Sequence, residues 1–157
     1  MAWPMLMLNV RRRRRGQFGF CGEWVRTDGH AAAGVGDDSE SWGVDGAQAC
    51  AWHAQSRRDF GGTWRAGDVI GLACDLRAAG GGGGGGRVWV SVNGSFAPPY
   101  GAAFDLPAAA LRLSPALSAR AGRVRYNFGP AWAHAPPDAG YGVFEAADGY
   151  DGDREPQ

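Results

Sequence analysis

Side chains that could hold a metal ion or carry out acid–base catalysis are few in this sequence, and they are widely spaced. The three histidines are at positions 30, 53 and 134, and only Cys50 is close to one of them, three residues before His53. Zinc would need two further ligands, and the nearby aspartates occur in turn-like sequences. We therefore interpret His53 as a structural histidine with its hydrogen bonds satisfied, and not as a metal ligand.

An acidic cluster, Asp37, Asp38 and Glu40, follows Gly34-Val35-Gly36. A calcium loop needs oxygen ligands at alternating positions and a bidentate glutamate at its end, and this run does not supply them. We interpret these carboxylates as caps of turns. The cluster therefore predicts a structured loop and no bound metal.

Other catalytic signatures are missing from the sequence. It has no GxSxG string and no lysine, which excludes a lysine phosphate loop, a Schiff-base lysine and a Ser–Lys dyad. The seven glycines from Gly80 to Gly86 are followed by a strand-like pattern, whereas a dinucleotide-binding glycine motif opens a helix. We interpret the run as a hairpin loop, expanded without a function of its own. We predict that the protein is not an enzyme and needs no cofactor.

The elements that would position any site are strands. In residues 87–94, Val88, Val90 and Val92 alternate with other side chains, and Asn93-Gly94 ends the run with a pair that suits a two-residue hairpin turn. Residues 69–76 place large apolar side chains on one face and small ones on the other, which fits a strand covered on both sides. These patterns predict an all-β fold.

A second hairpin is predicted near the C-terminus. Residues 113–119 and 123–128 have strand-like sequences, and Arg120-Ala121-Gly122 would connect them. In the second run Val124, Tyr126 and Phe128 alternate with polar side chains, which predicts one buried face. Short strands at this spacing favour a β-sandwich.

Charge and cysteine content restrict the partners and the compartment. All 16 basic residues are arginines and the formal net charge is zero, so the chain has no broad basic surface for nucleic acid. We interpret Arg11 to Arg15 as a solvated loop between two early strands. The alternatives are a nuclear-import or nucleic-acid patch, and an accident of where the chain is taken to begin.

Three cysteines without a CxxC motif predict the reducing cytoplasm, and the apolar stretch before the arginines is too short to span a bilayer.

The seven tryptophans are the remaining functional candidates. Tryptophan is seldom fully buried and its indole N–H needs a partner, so we expect several of them to be half-exposed. For any one of them the core is the ordinary location, whereas a cluster at one end of a sandwich would indicate a binding face.

Taken in order, several strings of this sequence resemble the SPRY domain, the core of B30.2/SPRY modules. The resemblance covers about residues 16–144 and is carried by GVGDDSESWGVDG (34–46), AWH (51–53), TWRAGDVIGLACDL (63–76), VWVSVNG (88–94), AFDL (103–106), LSPALSA (113–119), RVRYNFGP (123–130) and PPDAGYGVF (136–144). The arrangement is most similar to SPRY domains of large ubiquitin ligases, RING-linked proteins and ryanodine receptors.

The resemblance implies a bent antiparallel β-sandwich of the concanavalin-type jelly-roll class. It also implies a non-catalytic module that recognises a peptide or loop of a partner protein, either selecting substrates for ubiquitin ligases or acting as a scaffold. A regulatory domain fragment of a larger ligase or channel, packing against its own chain, is the alternative. Small-molecule substrates and membranes are not expected as partners.

Binding residues are carried over from the family at two places. Trp52 has the position of the aromatic residue before the histidine that contributes to the peptide surface. Arg120, Ala121 and Gly122 form the loop between the last two long strands, although Ala121 replaces an aromatic residue found there in many members. We therefore expect a different peptide motif, with Trp52 as an apolar anchor and Arg120 pairing with an acidic group.

The resemblance divides the chain into three parts. Residues 1–15 form an N-terminal strand and an arginine-rich loop, residues 16–144 the SPRY domain, and residues 145–157 a disordered polar tail. Trp3 to Leu8 stands where the family has a different opening string, and Pro4 is awkward in a central strand. Because an upstream strand of the family is not found, we interpret the chain as a fragment of a longer protein. The alternative is a trimmed SPRY domain with an exposed edge strand.

Overall fold

The computed structural model describes residues 3–10, 16–22, 34–76, 85–107, 113–119, 124–129 and 131–142. Within them the fold is all-β, with eleven strands and no helix. The strands are β1 (Trp3–Val10), β2 (Gly16–Cys21), β3 (Ser41–Asp45), β4 (Cys50–His53), β5 (Ser56–Asp59), β6 (Val69–Asp75), β7 (Arg87–Val92), β8 (Gly101–Asp105), β9 (Ser114–Ala119), β10 (Val124–Asn127) and β11 (Tyr141–Gly142). None of the described residues belongs to a helix that is long and apolar enough to cross a membrane.

Two sheets pack face to face, which confirms the predicted β-sandwich. The six-stranded sheet has the order β10-β1-β6-β7-β8, with β11 pairing parallel to the start of β1, and the five-stranded sheet has the order β5-β4-β3-β2-β9. The main core lies between them and contains aromatic and branched side chains of both sheets. Its members include Phe18, Phe20, Trp42, Val44, Ile70, Leu72, Val88, Val90 and Phe104.

Strand β6 is buried on both faces, as its sequence predicts. Ile70, Leu72 and Cys74 are in the core between the sheets, and Ala73 is buried on the opposite face with Met7 and Tyr141. Half-buried Trp89, Phe96 and Trp132 pack against this second cluster. Residues 131–142 therefore contribute a third layer that covers the outer face of the six-stranded sheet.

The turn at Asn93-Gly94 is confirmed as a two-residue hairpin turn. Both residues have positive φ, 51° and 84°, and the backbones of Val92 and Ser95 exchange hydrogen bonds of 3.2 and 3.0 Å. The Asn93 side chain joins this turn to the turn before β6, because Asn93 Nδ2 donates a hydrogen bond to Asp68 Oδ1 at 2.8 Å.

The predicted hairpin of residues 113–119 and 123–128 is wrong. Strand β9 pairs with β2 in the five-stranded sheet, whereas β10 pairs with β1 in the six-stranded sheet. The two strands therefore belong to different sheets, and the chain crosses from one sheet to the other between them. Local alternation predicts each strand correctly but does not determine its partner.

The C-terminal run also exposes a face that its alternation predicts to be buried. Val124 packs against the core, but Tyr126 and Phe128 are 39% and 43% exposed. Their rings stack with centroids 5.8 Å apart. Because β10 is an edge strand of its sheet, Tyr126 and the Phe128 that follows the strand extend past the shared core.

Strand β1 accommodates Pro4 at its end. Antiparallel pairing with β6 begins at Met5 and pairing with β10 at Met7, whereas Pro4 faces Gly142 in the short parallel pair with β11. The proline therefore precedes both long ladders, where a missing N–H costs least. Strands β1 and β2 do flank Arg11 to Arg15, which themselves are outside the described residues, as is the tail 145–157.

Candidate functional site

Trp52 projects from the outer face of the five-stranded sheet. Trp42, Val44 and Ala51 point into the core, and since neighbouring strand residues alternate between faces, Trp52 points the other way. Its cross-strand neighbours are Gly43 on β3 and Arg57 on β5. The ring is therefore bordered by a glycine on one side and by a cation on the other.

The loop of residues 34–40, called here the 34–40 loop, lies on this outer face beside Trp52. A Cβ atom at Gly43 would be 2.2 Å from the carbonyl oxygen of Val35, and one at Gly36 would be 2.5 Å from Trp52 Cβ. Gln55 N donates to the Gly36 carbonyl at 3.2 Å, which ties the loop to the turn after β4. Only glycine at positions 36 and 43 permits this approach.

Carboxylates and hydroxyls hold the 34–40 loop in place, which confirms that Asp37 and Asp38 cap turns. Asp37 accepts the N–H of Gly34, and Asp38 Oδ1 accepts the Glu40 N–H at 3.0 Å and the Ser41 hydroxyl at 2.8 Å. The Ser41 hydroxyl in turn accepts the Gly36 N–H at 2.8 Å. The loop is therefore preorganised by side chains of its own segment.

A further hydrogen bond connects the 34–40 loop to the far edge of the sheet. Val35 N donates to the Ser118 hydroxyl on β9 at 2.9 Å. Strands β4 and β9 are separated by β3 and β2, so they are about 14 Å apart at normal strand spacing. The loop therefore spans the face between Trp52 and β9.

The Trp52 ring is half-buried, and its indole nitrogen is covered. Nε1 is buried and has no hydrogen-bond partner among the described residues. Arg57, across from it, is exposed and pairs with Asp59 at 3.1 Å. Trp52 thus offers an apolar ring surface next to an exposed ion pair.

The other predicted binding residues, Arg120, Ala121 and Gly122, lie outside the described residues. Strand β9 ends at Ala119, immediately before them. Their proximity to Trp52 remains a prediction. The 34–40 loop and Arg57 were missed as parts of this face, although the glycines at 34 and 36 are a signal of close backbone approach.

Two further polar residues, His53 and Asp45, make contacts within the fold. His53 Nδ1 donates to the Ser41 carbonyl at 2.9 Å, and its ring stacks on Trp42 with centroids 4.9 Å apart. Asp45 accepts the N–H groups of Ala47 and Gln48 at 2.8 and 3.2 Å. His53 is therefore a structural, hydrogen-bonded side chain, as the sequence predicts.

The cysteines are poor nucleophiles in this environment. Burial raises the pKa of the Cys74 thiol to about 12, with a smaller contribution from the nearby Asp75 carboxylate. Burial also raises the pKa of Cys50 and of Cys21, which is the most accessible of the three. In the part of the chain that the structure describes, no three His, Cys, Asp or Glu side chains come together to hold a metal ion.

Comparison with known proteins adds no family to these observations. No protein-family model matches the sequence, and no curated protein is significantly similar to it. The described structure is an all-β sandwich with Trp52 and the preorganised 34–40 loop on the outer face of its five-stranded sheet.

Proposed function

We propose that this protein is a SPRY-type interaction module that binds a peptide or loop of a partner protein and carries out no catalysis. The observation that supports this proposal best is the position of Trp52. Asp38 and Ser41 hold the 34–40 loop in place by hydrogen bonds, and Trp52 is half-exposed beside this loop. A rigid loop next to an aromatic ring is a common form of binding surface.

In this proposal Trp52 is the apolar anchor of the interface. When a large aromatic ring is already ordered in the free protein, little side-chain entropy is lost on binding. More of the free energy gained by burying the ring then appears as affinity. The exposed pair of Arg57 and Asp59 would form part of the polar rim, and Arg120 would bind an acidic group of the partner. The biological role that follows from the family resemblance is substrate recognition or scaffolding linked to ubiquitination.

The exposed aromatic pair supports a second candidate function. Tyr126 and Phe128 stack on each other at the edge of the six-stranded sheet, on the other side of the sandwich from β5 and β8. Exposed paired aromatics are typical of contact surfaces. In this alternative the domain packs against another part of a larger ligase or channel through these rings.

A pull-down with matched tryptophan variants tests the proposal. The variants are Trp52→Ala, Arg120→Ala and, as the control, Trp89→Ala, which removes a half-buried tryptophan from the outer face of the other sheet. Folding of each variant is checked by circular dichroism and urea unfolding, and retained proteins are confirmed by direct binding in purified form.

We expect a partner that binds wild type and Trp89→Ala and is lost from Trp52→Ala. Equal binding to all variants would refute the choice of face. Loss only on replacing Tyr126 and Phe128 with serine would favour the alternative function.

A further inference from the structure

A cleft of about 600 Å³ opens between β5 and β8, the two edge strands on one side of the sandwich. We call it the β5–β8 cleft. Ala51, Ser56 and Arg58 contribute to one wall, and Ala102 and Phe104 to the other. Ala51, Ser56 and Arg58 are on the core side of β4 and β5, so the cleft is separated from Trp52 by the five-stranded sheet.

Arg58 is the charged group in this cleft that lacks an acidic partner. Arg57 pairs with Asp59, and Arg87 pairs with Asp105 at 2.8 Å at the mouth of the cleft. The Arg58 guanidinium instead lies 5.0 Å from the centre of the Phe104 ring. Among the described residues no carboxylate pairs with Arg58, although it is exposed.

The hydrogen-bond pattern of β5 leaves part of its backbone available. Ala54 and Gln55, with φ of 50° and 62°, form a two-residue turn, so His53 and Ser56 are a hydrogen-bonded pair. Hydrogen-bonded pairs alternate in an antiparallel ladder, so the backbone N–H and C=O of Arg58 also bond toward β4. The same pattern holds at Phe60, whose N–H donates to the Ala49 carbonyl at 3.0 Å.

The intervening residues of β5 therefore direct their backbone groups outward. The N–H and C=O of Arg57 and Asp59 point away from β4, and within the described residues β5 pairs with β4 alone. All four residues of β5 are exposed. An extended peptide can add to this edge in register, as in β-strand addition.

We propose that the β5–β8 cleft binds an extended acidic peptide of a partner protein. The peptide backbone pairs with the free edge of β5, and an Asp or Glu carboxylate of the peptide pairs with the Arg58 guanidinium. A small side chain of the peptide contacts Ser56, which is exposed and lines the cleft. A single unpaired guanidinium matches one carboxylate, whereas phosphopeptide sites use clusters of arginines.

This site is distinct from the proposed Trp52 site, and the two are tested separately. The probe is a display library of random octapeptides selected on the purified full chain. The matched variants are Arg58→Gln, on the cleft side of β5, and Arg57→Gln, the adjacent arginine on the opposite face. Selected peptides are then synthesised, and their affinities are measured by fluorescence anisotropy at low and high salt.

We expect an acidic residue to be enriched at one position by wild type and by Arg57→Gln, and not by Arg58→Gln. The selected peptide should bind Arg58→Gln about tenfold more weakly, since a charge-assisted hydrogen bond is lost. Trp52→Ala should bind it as wild type does. Affinity should also fall as salt increases.

A second variant keeps the test decisive if Arg58→Gln is unstable. Ser56→Glu adds a carboxylate at an exposed position that lines the cleft, two residues from Arg58 on the same face of β5, where it repels the acidic peptide. We expect at least the same loss of affinity. Selection without acidic residues, equal binding by Arg58→Gln and wild type, or loss of binding by Trp52→Ala would each overturn the proposal.

Discussion

At the scale of single residues, Cys74 couples the stability of the sandwich to alkaline pH. It is fully buried in the core, and its pKa is raised from an ordinary value of 9.0 to about 12. Above pH 9 the unfolded chain loses the thiol proton while the folded chain keeps it. The free energy of unfolding therefore falls by about 1.4 kcal/mol per pH unit until the folded thiol also ionises.

Cys74→Ala removes this pH dependence. At pH 7 we expect the variant to be about 1 kcal/mol less stable than wild type, because a buried sulfur is lost. Between pH 9 and pH 11 the difference should shrink and then reverse sign. Urea unfolding at pH 7, 9, 10 and 11 measures this, and parallel curves for the two proteins would contradict the assigned pKa.

Gly36 is the residue on which the position of the 34–40 loop depends. It has a φ of +104°, and an added Cβ would be 2.5 Å from both the Cβ and the carbonyl oxygen of Trp52. Gly67 is a matched control, with a φ of +101° and no atom within 4 Å of an added Cβ. Comparing alanine substitutions at these two glycines therefore separates the cost of backbone strain from the cost of steric contact.

We expect Gly67→Ala to cost about 1–2 kcal/mol, the penalty for positive φ alone. Gly36→Ala should cost at least about 2 kcal/mol more, because the loop must leave the face of the sheet. Urea unfolding measures both values. Equal costs would show that the loop adapts to a side chain at no penalty.

At the scale of elements, two turns at the same end of β6 and β7 are joined by their side chains. Asp68 Oδ2 accepts the Arg65 N–H at 2.6 Å, and Asn93 Oδ1 accepts the Val69 N–H at 2.9 Å. The amide of Asn93 donates to the other carboxylate oxygen of Asp68. The WRAGD and VNG strings are thus two halves of one structural unit.

Exchanging these two side chains tests that unit. Asn93→Asp alone places two carboxylates side by side and should cost about 1–2 kcal/mol. Adding Asp68→Asn restores a donor between them while preserving the backbone contacts, so the double variant should recover most of the loss. A double-mutant cycle by urea unfolding gives the coupling energy, and additive effects would show that the contact does not contribute to stability.

The success of sequence reasoning at this scale depends on how local the information is. The strand containing Val88, Val90 and Val92 is predictable because alternation and the turn are encoded within eight residues. Strand β5 was not predicted, since SRRD is exposed along its whole length and has no apolar face. The false hairpin after Ser114 arose because strand partners are determined by contacts distant in sequence, in this case between β9 and β2.

Among the described residues of the proposed binding face, the sequence singled out Trp52 alone. Trp52 could be singled out by its position before His53, but the 34–40 loop reaches its place through Ser118, which is 83 residues from Val35. The contact between the Arg58 guanidinium and the Phe104 ring likewise joins residues of different sheets. Such juxtapositions follow from topology, and no local pattern encodes them.

At the scale of the whole molecule, the sandwich has a third layer that connects the last described residues to strand β1. Residues 131–142 cross the outer face of the six-stranded sheet, and β11 pairs with the start of β1. Tyr141 is 7% exposed and lies in one cluster with Met7 and Ala73. The six-stranded sheet therefore has apolar side chains on both faces, and we expect its stability to depend on residues 131–142.

Two truncations test this dependence and locate the domain boundary. Deleting residues 145–157 should leave the free energy of unfolding within about 0.5 kcal/mol of wild type, because this polar segment is predicted to lie outside the core. Deleting residues 131–157 should bare the cluster around Met7 and cost more than about 3 kcal/mol, the scale of losing one buried aromatic side chain. Urea unfolding and binding of a hydrophobic dye measure both.

Tyr141→Ala provides a graded control for the longer deletion. It keeps the chain intact and should give dye binding between the values of wild type and of the chain ending at residue 130. If the longer deletion unfolds with the stability of wild type, the third layer contributes nothing and the two sheets suffice. If deletion of residues 145–157 is itself destabilising, that segment contributes to the folded domain, and the boundary after residue 144 is wrong.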